Sequence, residues 1–204
     1  MEILMRILTL FFLLAVWLPC TGEAGYFEEL LAKVKNGDAS TLAHLVEKAR
    51  KGDVLIQSAL GIMYRAGNGV PQDYQEALLW LRKAAAKQNA PAQATIGAMY
   101  ARGEGVLQDY KEAATWLRKA AEQGNTEAQS DLGTAFAKGQ GVPHSHEEAV
   151  TWYRKAAEQG HAGAQFNLGF VYYHGTGLPK DFKKAFYWYT RAAEQGDKNA
   201  QLNL

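Results

Sequence analysis

Cysteine is nearly missing from this chain: Cys20 is the only one among 204 residues. That excludes a disulfide framework and any cysteine-held metal centre, and the five histidines leave few ligands for a site of another kind. An excess of one charge is missing too. The 22 lysines and arginines offset 21 aspartates and glutamates, a formal net charge of +1, so bulk charge points to neither nucleic acid nor an anionic membrane as partner. The apolar run from Ile7 to Leu18 is twelve residues with Thr9 inside it, short of the roughly 20 that a membrane-spanning helix needs. Nucleophile-elbow, phosphate-loop and HExxH motifs are absent. What remains is a globular composition, 48% apolar and 11% aromatic, sufficient to build a core.

The apolar run comes after Met1 to Arg6 and precedes small residues at Cys20, Gly22 and Ala24. This is the arrangement of a secretory signal peptide, cleaved after Ala24 or after Gly22, and residues 1–24 are expected to leave with it. Their removal takes Arg6, Glu2 and Glu23 and leaves 21 basic and 19 acidic residues, net +2. The lesser alternative is a lipoprotein acylated at Cys20, but Leu18 and Pro19 before it depart from a small-residue lipobox. The expected location is secreted or periplasmic, with membrane contact only through the transient leader or a partner.

The rest of the chain repeats with a period of 36 residues. Tryptophan recurs at Trp80, Trp116, Trp152 and Trp188. Ahead of each comes an aliphatic–glycine pair (Leu60-Gly61, Ile96-Gly97, Leu132-Gly133, Leu168-Gly169), then an aromatic three residues on (Tyr64, Tyr100, Phe136, Tyr172) and a G-x-G pair opening at Gly67, Gly103, Gly139 and Gly175. An Ala-Ala pair comes next at 84/85, 120/121, 156/157 and 192/193. A period of this length is the signature of a solenoid, in which each unit buries its apolar face on its neighbour.

Each copy reads as two helices. Ala92, Ile96 and Tyr100 share one face of the first, which Gly103 ends. Pro71, Pro143 and Pro179 sharpen the turns just after Gly69, Gly141 and Gly177. Asp73…Glu76, Asp109…Glu112 and Ser145…Glu148 match a capping box, in which the glutamate is expected to reach back to the cap amide; Asp181…Lys184 breaks the pattern. Tyr110, Ala113, Leu117 and Ala120 mark the second helix, which Gly124 ends. Gln88-Asn89 stands where the other copies have glycine, so that corner is expected to be less regular.

The pattern A-Q-x-x-L-G-x-x-Y-x-x-G-x-G-V…D-Y-x-E-A…W-x-x-K-A-A-E-Q-G resembles the Sel1-like repeat family, a relative of the tetratricopeptide repeats, in its bacterial exported form. The resemblance implies an all-α fold, a right-handed α-solenoid (superhelix) of antiparallel helix pairs, acting as an adaptor for protein complexes. The repeats are expected at 53–88, 89–124, 125–160 and 161–196, with a fifth begun at 197–204. Residues 25–52 lack the landmarks, yet Phe27, Leu30, Leu31 and Val34, then Leu42, Leu45, Val46 and Ala49, form two apolar stripes meeting at Gly37-Asp38. They read as a divergent capping pair with a polar outer face. No such cap stands after the last repeat, so that end is expected either to mark a fragment or to be covered by a partner or another copy.

In the tetratricopeptide relatives the first helices line the concave face. The positions sharing that face are Ser58, Ile62 and Arg65; Ala94, Ala98 and Ala101; Ser130, Thr134 and Ala137; and Phe166, Phe170 and Tyr173. The stripe is small in the middle and aromatic in the last copy, with Arg65, Arg102, Lys138 and His174 on or beside one edge. Those seven residues, Phe166, Phe170, Tyr173, Arg65, Arg102, Lys138 and His174, are the candidate site for a protein or peptide partner with acidic and apolar residues. A second reading stays open for the aromatics, as packing against the incomplete fifth unit, and for the basic residues, as a solvated edge. His144 and His146 read as a polar turn, since no further ligand is evident beside them. The periodic tryptophans read as core. No cofactor or metal is expected. Two alternatives are a hydrolase of the β-lactamase type described for cysteine-rich relatives, disfavoured because the repeats carry neither cysteine nor a Ser-x-x-Lys motif, and a structural module that associates end to end.

Overall fold

The computed structural model describes residues 29–204. The expected leader, Cys20 and Phe27 lie outside the described residues. Within them the chain is helical without strands. A short helix α1 (29–35) turns at Gly37 into α2 (Ala39–Arg50). Then come α3 (Val54–Ala66), α4 (Tyr74–Ala86), α5 (Ala90–Arg102), α6 (Tyr110–Glu122), α7 (Thr126–Lys138), α8 (His146–Glu158), α9 (Ala162–His174), α10 (Phe182–Glu194) and the five-residue α11 (Lys198–Leu202). From α2 onward each helix packs on the next, and the pairs stack into a right-handed α-solenoid.

Side chains start every first helix. Asp53, Asn89, Asn125, His161 and Asp197 each accept from the amide three residues on, satisfying a donor that has no partner inside the helix. Glycine ends α3, α5, α7 and α9 in the left-handed conformation. The corner at Gln88 is a correction to the expected irregularity. Gln88 itself takes the left-handed φ of 59°, and the amide of Asn89 still reaches the carbonyl of Ala84, as Asn125 reaches Ala120. Its neighbours hold a glycine's backbone on a residue with a side chain.

The capping boxes form by half. Asp73 accepts from the amides of Gln75 and Glu76, and Asp109 does likewise. The glutamate does not reach back, because the cap amide is already taken: Asp73, Asp109, Ser145 and Asp181 donate to the carbonyls of Tyr64, Tyr100, Phe136 and Tyr172 in the preceding helix. One carboxylate oxygen of Glu76 is left buried without a partner. This explains the broken box at Asp181, where no glutamate is needed and Lys184 Nζ instead lies 3.2 Å from the Asp181 carboxylate.

Within each pair, Leu60, Ile96, Leu132 and Leu168 are fully buried. Gly97 permits the close approach, since a Cβ there would lie 2.8 Å from Leu117. Trp80 and Trp152 are buried and Trp116 and Trp188 half-buried, with Lys83, Lys119 and Lys155 over the first three rings at 4.3, 4.4 and 4.1 Å.

A buried glutamine joins each pair to the one before. Gln57, Gln93, Gln129 and Gln165 donate to the carbonyls of Ala49, Ala85, Ala121 and Ala157 at 2.8, 3.4, 3.1 and 3.1 Å. The side-chain oxygens of the last three accept from Gln123, Gln159 and Gln195 at 2.6, 2.8 and 2.7 Å.

Two substitutions test these constraints. Gln129→Leu removes its bonds with the Ala121 carbonyl and the Gln159 amide, which keep the Gly124 amide and the Lys155 carbonyl as partners, and is expected to cost about 1–2 kcal/mol in urea unfolding; a loss no larger than that of the exposed Glu158→Ala, which is outside the ladder, would show that the ladder adds little. Gln88→Gly removes a side chain from a left-handed backbone and is expected to raise the unfolding midpoint by the equivalent of about 1 kcal/mol, and an unchanged midpoint would mean that Gln88 is unstrained.

Candidate partner-binding face

The first helices α3, α5, α7 and α9 present successive faces along the solenoid, with α3 and α5 in direct contact. The deepest of the three sequence positions is spent on packing: Ser58, Ala94 and Ser130 are buried. Phe166 joins them in part, its ring 5.6 Å from that of Tyr189 on α10. The other two positions stay open and change along the array, from Ile62 and Arg65 to Phe170 and Tyr173, which are 45% and 49% exposed.

Phe170, Tyr173 and His174 come together. The His174 ring lies 4.2 Å from Phe170 and 5.0 Å from Tyr173, and Tyr173 meets Phe182 of α10 edge-on at 5.5 Å. The basic residues do not form one stripe. Arg65 Nε donates to Glu104 Oε2 at 2.6 Å and Nη2 to the other oxygen at 3.4 Å, while Arg102 Nη1 lies 3.9 Å from the same carboxylate. Both arginines therefore converge on one acid in the turn after α5, and Lys138 stands exposed on α7.

Further polar groups sit on or beside these helices. His161 Nδ1 accepts the amide of Ala164, which fixes the proton on Nε2, and Nε2 donates to Glu127 Oε2 at 2.9 Å. Tyr153 donates to Thr134 at 3.2 Å, and burial pushes its hydroxyl up. Asp131 stands where the other copies have Ala59, Thr95 and Asn167. Its carboxyl makes no hydrogen bond among the described residues, and it is pushed up to about 6. Burial is the main cause and Glu127, one turn earlier, adds to it; Arg102, His161 and Arg65 oppose them.

The rings of His144 and His146 meet edge-on at 4.4 Å in the turn before α8. Among the described residues no group of three or more His, Cys, Asp or Glu is placed to hold a metal ion, and no helix is long and apolar enough to cross a membrane.

The Sel1 repeat model matches residues 57–89, 90–125, 126–161 and 162–197. Among solved structures, the chain is similar to a protective antigen of uropathogenic Escherichia coli with an SLR fold, at 36% identity and a TM-score of 0.79 over 86% of this chain. It spans only 39% of that antigen's length. A Sel1 repeat protein of Oxalobacter formigenes is 34% identical, with a TM-score of 0.76 over 84% of this chain and 73% of its own. The cysteine rich protein B of Helicobacter pylori, at 22% identity and a TM-score of 0.52 over 65% of this chain and 96% of its own, shares the fold alone. No curated protein matches the chain.

Asp131 gives the face a pH-dependent cost. Its carboxyl ionises near 6 in the folded chain and near 3.8 when exposed, so the folded state holds the proton more tightly and stability falls as pH rises through that window. Asp131→Asn is expected to be more stable than the parent by about 1–3 kcal/mol at pH 7.5, with the gain vanishing toward pH 4. Urea midpoints at the two pH values measure it, and a gain equal at both would mean that ionisation is not its source.

Proposed function

The chain belongs to the Sel1 repeat family, whose fold generally serves as a scaffold for protein–protein interaction, and from that premise we propose that it is a non-enzymatic adaptor docking an extended or helical segment of a protein partner along α3, α5, α7 and α9. The observation that carries this reading is Asp131. A half-buried carboxyl that makes no hydrogen bond among the described residues, and whose ionisation is held back in the fold, lies on the first helix α7. A partner's lysine or arginine supplies both the missing donors and the missing charge. Phe170 and Tyr173 offer exposed rings to an apolar residue of the same segment. With Arg65 and Arg102 both drawn to Glu104, the partner's charged contact is assigned to a basic side chain rather than to an acidic one.

The adaptor is proposed to work outside the cytoplasm, after loss of residues 1–24. The β-lactamase alternative gains no support from the likeness to the cysteine-rich Helicobacter protein, because Cys20 is the sole cysteine here and lies ahead of the repeats.

The test is capture of a partner from envelope extract by the exported chain, whose N-terminus read by mass spectrometry is expected at Gly25 or Glu23. Asp131→Asn and Phe170→Ala, each checked for retained helix content, are expected to weaken capture about tenfold or more, and binding to the parent is expected to weaken as pH falls below about 6. Retention that neither substitution reduces would overturn the groove reading.

A further inference from the structure

The second helices carry a recess of their own in the middle of the solenoid. Between α6 and the turn that leads into α8 lies a cleft of about 380 Å³, with Ala114 and Val142 in its wall and Lys111, Arg118 and Lys119 around it. Glu122 is the one acid that lines it. None of these four side chains makes an ion pair among the described residues. Lys119 lies over the Trp116 ring at 4.4 Å and Arg118 over Phe136 at 5.7 Å.

The equivalent places on α4 and α8 show what sets this one apart. Both helices keep the arginine and the lysine, as Arg82 and Lys83 and as Arg154 and Lys155, but neither has the third cation. Gln75, which stands where Lys111 does, donates to the carbonyl of Gly105 at 2.8 Å and so ties α4 to the facing turn. On α8 the place is taken by an acid, Glu147. At the middle junction a cation replaces the bridging glutamine, the matching carbonyl of Gly141 receives no such bond among the described residues, and three like charges gather at one recess. Such a cluster raises the local potential and draws an anionic group.

Spacing says what kind. Lys111 and Arg118 are seven residues apart, about 10 Å along a helix that rises 1.5 Å per residue. One phosphate group meets both only if two long side chains fold onto it, at the entropy cost of ordering them. Two carboxylates three residues apart in an extended, polyproline-like segment match the span as they stand, because that segment advances about 3.1 Å per residue and returns to the same face at every third one. The wall of Ala114 and Val142 between the cations gives the apolar part of such a segment a contact that a bare ion or a flat layer of headgroups would leave unused.

We propose that the cleft beside α6 binds an acidic segment of a protein partner, with two carboxylates three residues apart at Lys111 and at Arg118 and its apolar part against Ala114 and Val142. This goes beyond the groove reading, uses none of its residues and does not depend on it.

The probe is a peptide with Glu-Ala-Leu-Glu at its centre, titrated into the purified chain while amide resonances are followed by nuclear magnetic resonance. Saturable shifts are expected at Ala114, Thr115 and Val142, and the affinity is expected to fall as salt rises from about 0.05 to about 0.5 M. Arg118→Glu, at an exposed position, is expected to keep the parent's circular dichroism and to weaken binding about tenfold or more. Lys111→Gln, which restores the residue found on α4, is expected to weaken it several-fold, whereas Asp131→Asn, which tests the groove, leaves it in place. A parent that does not bind the peptide overturns the proposal. So do equal binding of the peptide with both glutamates changed to glutamine, and an Arg118→Glu or Lys111→Gln variant that binds as the parent does. Inorganic phosphate or phosphatidylglycerol vesicles that bind at least as tightly as the peptide would overturn it too, by making the cleft a phosphate site.

Discussion

The solenoid depends on one buried amide per repeat. Gln93, Gln129 and Gln165 each tie a last-turn carbonyl of the preceding second helix to the first turn of their own helix, and each accepts from the glutamine that caps the second helix in their own pair. A primary amide suits this place because it donates and accepts at once, and both of its roles are filled where water is excluded. Leaving either partner unmet would cost more than the bonds contribute when made. The amide therefore sets where each new pair begins relative to the last turn before it. The glycine beside Leu60, Ile96, Leu132 and Leu168 sets how closely the two helices of a pair approach. With both fixed, the remaining core of small residues such as Ala84, Ala120 and Ala156 has little freedom left.

The period of 36 made the helices, their ends and the stacking legible, because every copy restates the same local instructions. Two local rules failed where tertiary structure competed with them. The capping glutamates had a reciprocal partner in sequence, but the aromatic residue's carbonyl reaches the cap amide first. Gln88 had the wrong residue for a left-handed corner, yet the flanking helices impose that corner on it.

The candidate site was legible only where it departs from the repeat. Phe170 and Tyr173 stand out against Ala98 and Ala101; Asp131 departs from Ala59 and Thr95 in the same way, but only its surroundings in the fold single it out. The pairings were not legible. Arg65 meets Glu104 across 39 residues and His161 meets Glu127 across 34, so each pair joins neighbouring copies, and a charge's partner cannot be read from its own helix. That is why the four basic residues looked like one edge in sequence and resolve in space into two arginines on one glutamate, an exposed lysine and a histidine stacked on aromatic rings.

The bond from each cap amide to the aromatic carbonyl nine residues earlier has a consequence for how such a surface changes. From Tyr64 to Asp73, Tyr100 to Asp109, Phe136 to Ser145 and Tyr172 to Asp181 it closes every hairpin into a ring of constant size. The hairpin is thereby a rigid tile, and an inserted residue in that ring would open it, whereas an exchanged side chain on the outer face leaves it untouched. Shape and chemistry are thus held by separate sets of atoms. A lineage of such tiles is free to rewrite what its surface recognises one letter at a time while the curve on which the letters are set stays the same.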